Sequence, residues 1–170
     1  MELDRTDRDI IRSLERDARM SLRSVAEEIG VSLGTVSNRL KRLEDTGVVK
    51  GYRVEIDPDK VGWGLTVVVG LRIEKGRLLE LQRLIAEDSR VLGVYDVTGE
   101  FDSMILARAK DRSDLDDLSK TVLSMDGIMR SVTHFVLNTV KEKPTSVPEI
   151  SVGCPKGTRC SRIIGLSAYA

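Results

Sequence analysis

The chain has 170 residues, 41% of them hydrophobic and 32% charged, a balance typical of globular proteins with one or two domains. No apolar run approaches the roughly 20 residues of a membrane-spanning helix and no signal-peptide pattern opens the sequence, so we expect a cytoplasmic protein without a membrane partner. The 27 basic and 27 acidic residues cancel, which argues against binding of nucleic acid through net charge alone.

The first predicted helix runs from Asp4 to about Arg16. Asp4 and Asp7 lie in its first turn, where the helix dipole favours anions. Apolar residues recur at helical spacing, which predicts that one face of this helix is buried. The residues of that face are Ile10, Ile11, Leu14 and Ala18.

A second, shorter helix is predicted after residue 20. Either Ser21 or Ser24 can supply its N-cap, and Ser24 with Glu27 has the spacing of a capping box. Gly30 ends the helix, because glycine adopts the left-handed conformation that a helix C-terminus often needs.

The third predicted helix begins after Ser32, its N-cap, and ends at about Asp45. At about 100° per residue, Val36, Leu40 and Leu43 fall within roughly 60° of one another and define a buried face. The opposite face carries small, polar and basic side chains, which permit close approach to base edges and contact with phosphates or guanine. The candidate DNA-binding residues are Ser32, Thr35, Ser37, Asn38, Arg39, Lys41 and Arg42.

The spacing of Ala26, Gly30 and Val36 matches a helix-turn-helix motif, in which alanine lets the helices cross, glycine makes the turn and valine anchors the second helix. Residues 1–53 carry 11 basic and 10 acidic side chains, a net charge of +1, and residues 32–53 carry five basic side chains against two acidic ones. The pattern therefore favours DNA binding. A small three-helix domain whose outer face is merely solvated is the alternative.

The stretch after Gly47 predicts a strand or a wing, closed by a turn at Asp57-Pro58-Asp59. We assign residues 1–53 to a winged helix-turn-helix domain and residues 54–62 to a linker. The apolar residues that suggest the strand are Val48, Val49, Tyr52, Val54 and Ile56.

Residues 63–143 show the order strand, helix, strand, strand, helix, strand. This βαββαβ order predicts a ferredoxin-like antiparallel sheet with two helices on one face, so the whole chain is of the α+β class. The fold hosts many functions and by itself decides none. The predicted strands are LTVVVGLRI, VLGVYDVTG, SMILARAK and VTHFVLNTV. The apolar helix positions are Leu78, Leu81, Leu84 and Ile85, then Leu115, Leu118 and Val122.

The two modules together resemble the Lrp/AsnC family of feast/famine transcription regulators over residues 3–143. The resemblance rests on the order and spacing of LDRTDRDII, SLRSVAEEIGVS, TVSNRLKRLEDTGVVKGY, YDVTGEFD and SVTHFVLNTVKEK. It implies binding to double-stranded DNA, homodimers that pack through the sheets of the second module, and assembly into tetramers or octamers. It also implies a small effector, commonly an amino acid, bound in clefts between dimers. The implied effector-binding residues are Gly99, Glu100, Phe101, Asp102, Ser131 and Thr133.

Two of these positions depart from the family pattern. Ser131 stands where threonine is more usual, and Phe101 stands where tyrosine is common, so one hydroxyl is lost. An amino acid needs an acceptor for its ammonium and donors for its carboxylate, which the remaining groups can supply. The identity of the effector stays open.

Two other functions are compatible with the sequence. An assembly protein of this fold that lacks specific DNA binding is the second hypothesis, and a haem-pathway decarboxylase, which shares the two-module fold, is a remote third. His134 is the only histidine and has no other histidine or cysteine at a plausible metal spacing, so we expect it to be a half-buried sheet residue. We expect no catalytic residue, metal site or cofactor. The segment 144–170 lies outside the family pattern. Its Cys154 and Cys160 could form a disulfide, share a metal between subunits or remain reduced.

Overall fold

The computed structural model of the protein describes residues 2–142 and 145–148. Cys154 and Cys160 of the predicted tail lie outside the described residues. Among the described residues, no helix is long and apolar enough to cross a membrane.

Three helices build the first compact unit, which holds the residues up to Arg53. Asp4 is the N-cap of the first helix and forms a reciprocal capping box with Asp7, so the two acids at this terminus act together. The helices are α1 (Arg5–Arg16), α2 (Leu22–Ile29) and α3 (Leu33–Asp45). The core that joins them contains Ile10, Leu14, Val25, Ala26, Val36 and Leu40.

The termini of α1 and α2 follow local chemistry. Ser21 caps α2, because its Oγ accepts a hydrogen bond from the Ser24 amide at 3.1 Å. Ser24 is therefore inside the helix, and the predicted capping box with Glu27 is wrong. Gly30 has a φ of 73° and ends α2 in the left-handed conformation, as predicted. Ala18, predicted on the buried face of α1, lies beyond the end of that helix and is exposed.

The strand predicted over residues 48–56 does not form, since none of the described strands includes any of these residues. The alternation of apolar residues is compatible with an extended chain, but a strand also requires a hydrogen-bonded neighbour. The amides of Val48 and Val49 instead donate to the carbonyl of Leu43 at 2.9 and 3.0 Å and close the end of α3. A short 3-10 helix follows at Asp59–Val61.

The second unit spans Val54–Glu142 and contains one antiparallel sheet in the order β2-β3-β1-β4. This topology confirms the predicted βαββαβ module. The last strand ends at Phe135, so the second half of the predicted VTHFVLNTV strand is irregular. The elements are β1 (Leu65–Ile73), α4 (Leu78–Ala86), β2 (Val91–Asp96), β3 (Ser103–Ala109), α5 (Arg112–Thr121) and β4 (Ile128–Phe135).

The two faces of this sheet differ. Alternate side chains of β1 and β3, such as Val69 and Ile105, pack with both helices in one apolar core. The helices contribute Leu81, Ile85, Leu115 and Leu118 to this core. Leu84, predicted on the buried face of α4, is 42% exposed. The intervening residues of the strands point to the other face of the sheet, and they include Val68, Met104, Leu106 and Val132.

Candidate nucleic-acid interface and effector site

Helix α3 is anchored by one face and presents the other to solvent. Val36 and Leu43 are 0% exposed, and Leu40 is 7% exposed. Ser32 begins the helix, because its Oγ accepts a hydrogen bond from the Thr35 amide at 3.1 Å. The buried face predicted from helical spacing is confirmed, and it fixes which residues can face a partner.

Five of the seven predicted DNA-binding residues are exposed, and two of these, Ser32 and Arg42, have partners within the chain. The other three are Ser37, Asn38 and Lys41 on the outer face of α3. Within the part of the chain that the structure describes, these side chains make no intramolecular hydrogen bond or ion pair. Their hydroxyl, amide and ammonium groups are therefore available to an external partner.

The side chains of Ser32 and Thr35 are engaged with each other at the start of the helix. Their hydroxyl oxygens are 2.9 Å apart, and the Ser32 oxygen also accepts the Thr35 amide. These two residues thus shape the N-terminus of α3. Their hydroxyls are only partly available for contacts outside the chain.

The two arginines predicted to reach DNA lie against acidic residues of α1. Arg39 pairs with Asp4 and, at 3.1 Å, with Asp7. Arg42 pairs with Asp7 at 2.6 Å. These hydrogen bonds raise the pKa of Arg39, and the pKa of Asp4 is lowered by the Asp7 amide and by Arg39. Helical periodicity located both arginines beside the outer face, but it could not identify their partners more than 30 residues away.

Tyr52 is attached to the end of the same helix. Its hydroxyl donates to Glu44 Oε1 at 2.9 Å. Partial burial and the Glu44 carboxylate raise the pKa of Tyr52 to about 12, so the phenol stays protonated at neutral pH. The segment after α3 is therefore held against the helix although it forms no strand.

The Gly99–Asp102 turn is bound to the end of β1. The Asp102 amide donates to the Leu71 carbonyl at 2.9 Å, and Asp102 Oδ2 accepts from the Ile73 amide, also at 2.9 Å. Arg72 donates to the carbonyl of Glu100 at 2.7 Å and lies 3.6 Å from Asp102 Oδ1. The Asp102 carboxylate, which we predicted to bind the effector, therefore already has a structural function. Of its two oxygens, Oδ1 is the less tightly bound.

Phe101 lies on the sheet face that the helices leave open. A Cβ on Gly70 would be 2.7 Å from the Phe101 ring, so only glycine fits beneath it. Sequence reasoning missed Gly70, although a single glycine inside a β-branched strand is a signal of close approach. It also missed Arg72.

Ser131 and Thr133 lie on the edge strand β4, paired with Leu71 and Val69 of β1. Because side chains alternate along a strand, both hydroxyls lie on the helix side of the sheet, opposite the face that holds Phe101. One protomer therefore does not bring all six predicted effector residues to a single surface. His134 pairs with Val68 and is exposed on the Phe101 side, rather than half-buried as predicted.

Residues 3–50 match the family model of winged helix-turn-helix DNA-binding domains, and residues 66–146 match that of the Lrp/AsnC ligand binding domain. The HTH-type transcriptional regulator PH1692 of Pyrococcus horikoshii is 42% identical over 142 residues, which cover 84% of this chain and 96% of that protein. The chain belongs to the Lrp/AsnC family.

Another relative and two solved structures agree with this assignment. The HTH-type transcriptional regulator Ptr1 of Methanocaldococcus jannaschii is 33% identical over 82% of this chain and 95% of its own length. The transcriptional regulator NMB0573 of Neisseria meningitidis, solved as an L-Met complex, has a TM-score of 0.78 at 29% identity and covers 86% of this chain and 97% of its own. E. coli AsnC, at 20% identity over 85% of this chain and 99% of its own, shares the fold with a TM-score of 0.80.

The matches divide the functions between the two units of this Lrp/AsnC protein. The helical unit is a DNA-binding domain, and the sheet unit is a ligand-binding domain. The protein is therefore a DNA-binding transcription regulator that carries an effector domain.

Proposed function

We propose that this regulator recognises a specific DNA sequence with the outer face of α3, where Ser37 and Asn38 contact base edges and Lys41 contacts a phosphate. The observation that carries the proposal is the exposure of these three side chains on a helix whose opposite face is anchored in the core. An amide can pair with adenine through two hydrogen bonds, a hydroxyl can pair with any base, and an ammonium suits a phosphate.

The other four predicted DNA-binding residues support this surface. Ser32 and Thr35 define the start of α3, whose amides can approach a phosphate. Arg39 and Arg42 orient the helix through the acids of α1. We therefore assign base contacts to the outer face alone.

We propose a homodimer formed through the open face of the sheet. Val68, Met104 and Leu106 lie on this face. The two helices of the sheet unit, α4 and α5, both contribute to the core on the opposite face. An apolar sheet face is stable only when it is covered, and a second copy of the chain supplies a complementary apolar face.

Two α3 helices related by a two-fold axis then read half-sites about one helical turn apart, with residues 54–62 as the linker. Dimers associate further into tetramers or octamers.

We propose an amino acid as the effector, bound by the Gly99–Asp102 turn together with Ser131 and Thr133. The L-Met complex of the related NMB0573 regulator supports this class of ligand. Because Phe101 and the two hydroxyls lie on opposite faces of one sheet, a second copy has to complete the site. Regulation then requires only binding and assembly, with no catalytic step.

The effector proposal is tested by calorimetry of the full chain against the twenty amino acids. We expect heat from at least one of them, lost in Thr133→Val and reduced in Asp102→Asn. Asparagine keeps an oxygen for the Ile73 amide and removes only the charge, so Asp102→Asn separates ligand binding from the fold of the turn. The absence of heat from every amino acid would contradict this class of effector.

DNA recognition is tested by mobility shifts of the full chain on the region upstream of its own gene and on a shuffled duplex. Preferential retention of the upstream duplex supports the proposal. Equal retention of both duplexes at every salt concentration favours an assembly protein without specific DNA binding.

A further inference from the structure

Asp7 is a carboxylate inside the helical core, with 1% of its side chain exposed. Its amide donates to Asp4 Oδ1 at 2.9 Å, and its Oδ2 accepts the Asp4 amide at 3.2 Å. Its two oxygens also bind two guanidinium groups, Oδ1 that of Arg39 at 3.1 Å and Oδ2 that of Arg42 at 2.6 Å. A charge this deeply buried is tolerated only because it is paired.

The pairing connects α1 to two successive turns of α3. Arg39 and Arg42 are three residues apart, so they lie on the same side of α3 and reach one carboxylate. Two bonds from one fixed point restrict both the rotation and the translation of the helix. The same bonds keep both cations, whose side chains are 30% and 48% exposed, on the protein's own anions.

We propose that Asp7 is a positioning residue for DNA recognition: it fixes the orientation of α3 and withholds Arg39 and Arg42 from the DNA phosphates. The inference rests on the proposed reading of DNA by α3. Phosphate contacts raise affinity for every duplex alike, whereas base contacts discriminate between sequences. A recognition helix whose two arginines are neutralised therefore binds every duplex more weakly and discriminates more strongly between sequences.

The test uses Asp7→Asn in the full chain. Binding to a selected duplex and to a shuffled duplex is measured by fluorescence anisotropy over a range of salt concentrations. Loss of the charge releases Arg42 and leaves Arg39 held by Asp4 alone, so the slope of log K against log salt becomes steeper by about 1. Affinity for the shuffled duplex rises several-fold, and the ratio of selected to shuffled affinity falls by about tenfold.

Asp9→Asn is the matched control. Asp9 also lies on α1 and pairs with two arginines, Arg5 at 3.7 Å and Arg12 at 3.5 Å, on the side that faces α2. The Asp9→Asn substitution makes the same change in net charge, and it weakens arginine pairing only on the side of α1 that lies away from α3. We expect wild-type slope and selectivity from it.

Two further variants keep the test decisive. If Asp7→Asn does not fold, Asp4→Asn replaces it, because Asp4 is 52% exposed and pairs with Arg39 alone. Arg39 then keeps only its bond to Asp7, so the slope change should be about half as large. In the folded Asp7→Asn protein, adding Arg39→Gln and Arg42→Gln should restore the wild-type slope.

An unchanged slope in both Asp7→Asn and Asp4→Asn would overturn the inference, as would an equal loss of affinity for both duplexes with unchanged selectivity. A wild-type protein without sequence preference contradicts the proposed function instead. In that case the slope measured on the shuffled duplex still decides whether Asp7 withholds the arginines.

Discussion

Arg90 joins the start of β2 to α5 through three carboxylates. Its guanidinium binds both oxygens of Asp88, at 2.9 and 2.7 Å, and also Asp114 and Asp117 at 3.0 and 2.9 Å. The arginine side chain is 12% exposed, and those of Asp88 and Asp114 are 18% and 22% exposed. Removal of the cation therefore leaves two largely buried acids without their main partner.

We expect Arg90→Met to lower the free energy of unfolding by about 3 kcal/mol, the lower part of the range for breaking a buried ion pair. Urea denaturation near neutral pH measures this change. Lys120→Met is the control, because Lys120 pairs with Asp116 on the exposed side of α5 and should cost under about 1 kcal/mol. Equal losses in the two variants would show that the Arg90 cluster contributes no more to the free energy of unfolding than the exposed Lys120 pair does.

The same cluster predicts an acid dependence. Arg90 lowers the pKa of Asp88, and the Lys110 amide together with Arg90 lowers that of Asp114, both from an ordinary value of 3.8. Their stabilising contribution is therefore complete above that value and is lost as the pH falls towards the folded-state pKa values. The difference in stability between wild type and Arg90→Met should stay constant above about pH 5 and shrink as the pH falls below 3.8. A constant difference would contradict this linkage.

Individual residues were predictable from the sequence where their function is local. Gly30 and Ser32 end and begin helices through bonds within a few residues, and both were predicted correctly. Asp7 was predicted only as an anion near the start of a helix, because its burial depends on arginines 32 and 35 positions away. The structural function of Asp102 likewise depends on β1, 29 residues earlier.

Helix α3 offers a test at the scale of one element. Ser32→Ala removes the hydroxyl that accepts the Thr35 amide, and we expect a loss of about 1 kcal/mol in the free energy of unfolding. Ser37→Ala on the outer face should leave stability within about 0.5 kcal/mol and reduce discrimination between DNA sequences. Thermal unfolding and DNA binding of both variants separate the two functions. A destabilised Ser37→Ala protein would mean that this serine belongs to the fold.

Helices were easier to predict than strands for a physical reason. The bonds of a helix are local, so the apolar faces of α1 and α3 follow from spacing within one segment. A strand depends on a partner elsewhere in the chain, and for this reason residues 48–56 and the end of VTHFVLNTV were wrongly predicted as strands. The order of strands and helices was predictable from their alternation along the chain. The placement of Phe101 and Thr133 on opposite faces of the sheet was not, because it depends on the register between β1 and β4.

At the scale of the whole molecule, the open sheet face predicts a dimer. Leu106→Glu places a charge on this face, and light scattering of the full chain should then detect a monomer, with weaker binding to a two-site duplex. Leu79→Glu is the control, because Leu79 lies on α4 and is 63% exposed. An unchanged mass for Leu106→Glu would exclude this face as the dimer interface.

The central claim is that the outer face of α3 reads DNA sequence. The most direct measurement compares the affinities of wild type, Asn38→Ala and Lys41→Ala for a selected duplex and a shuffled one over a range of salt concentrations. We predict that Asn38→Ala loses about 1–3 kcal/mol of discrimination with an unchanged salt slope. Lys41→Ala should weaken both duplexes alike and reduce the slope by about 1. Wild-type discrimination and slope in both variants would contradict the account.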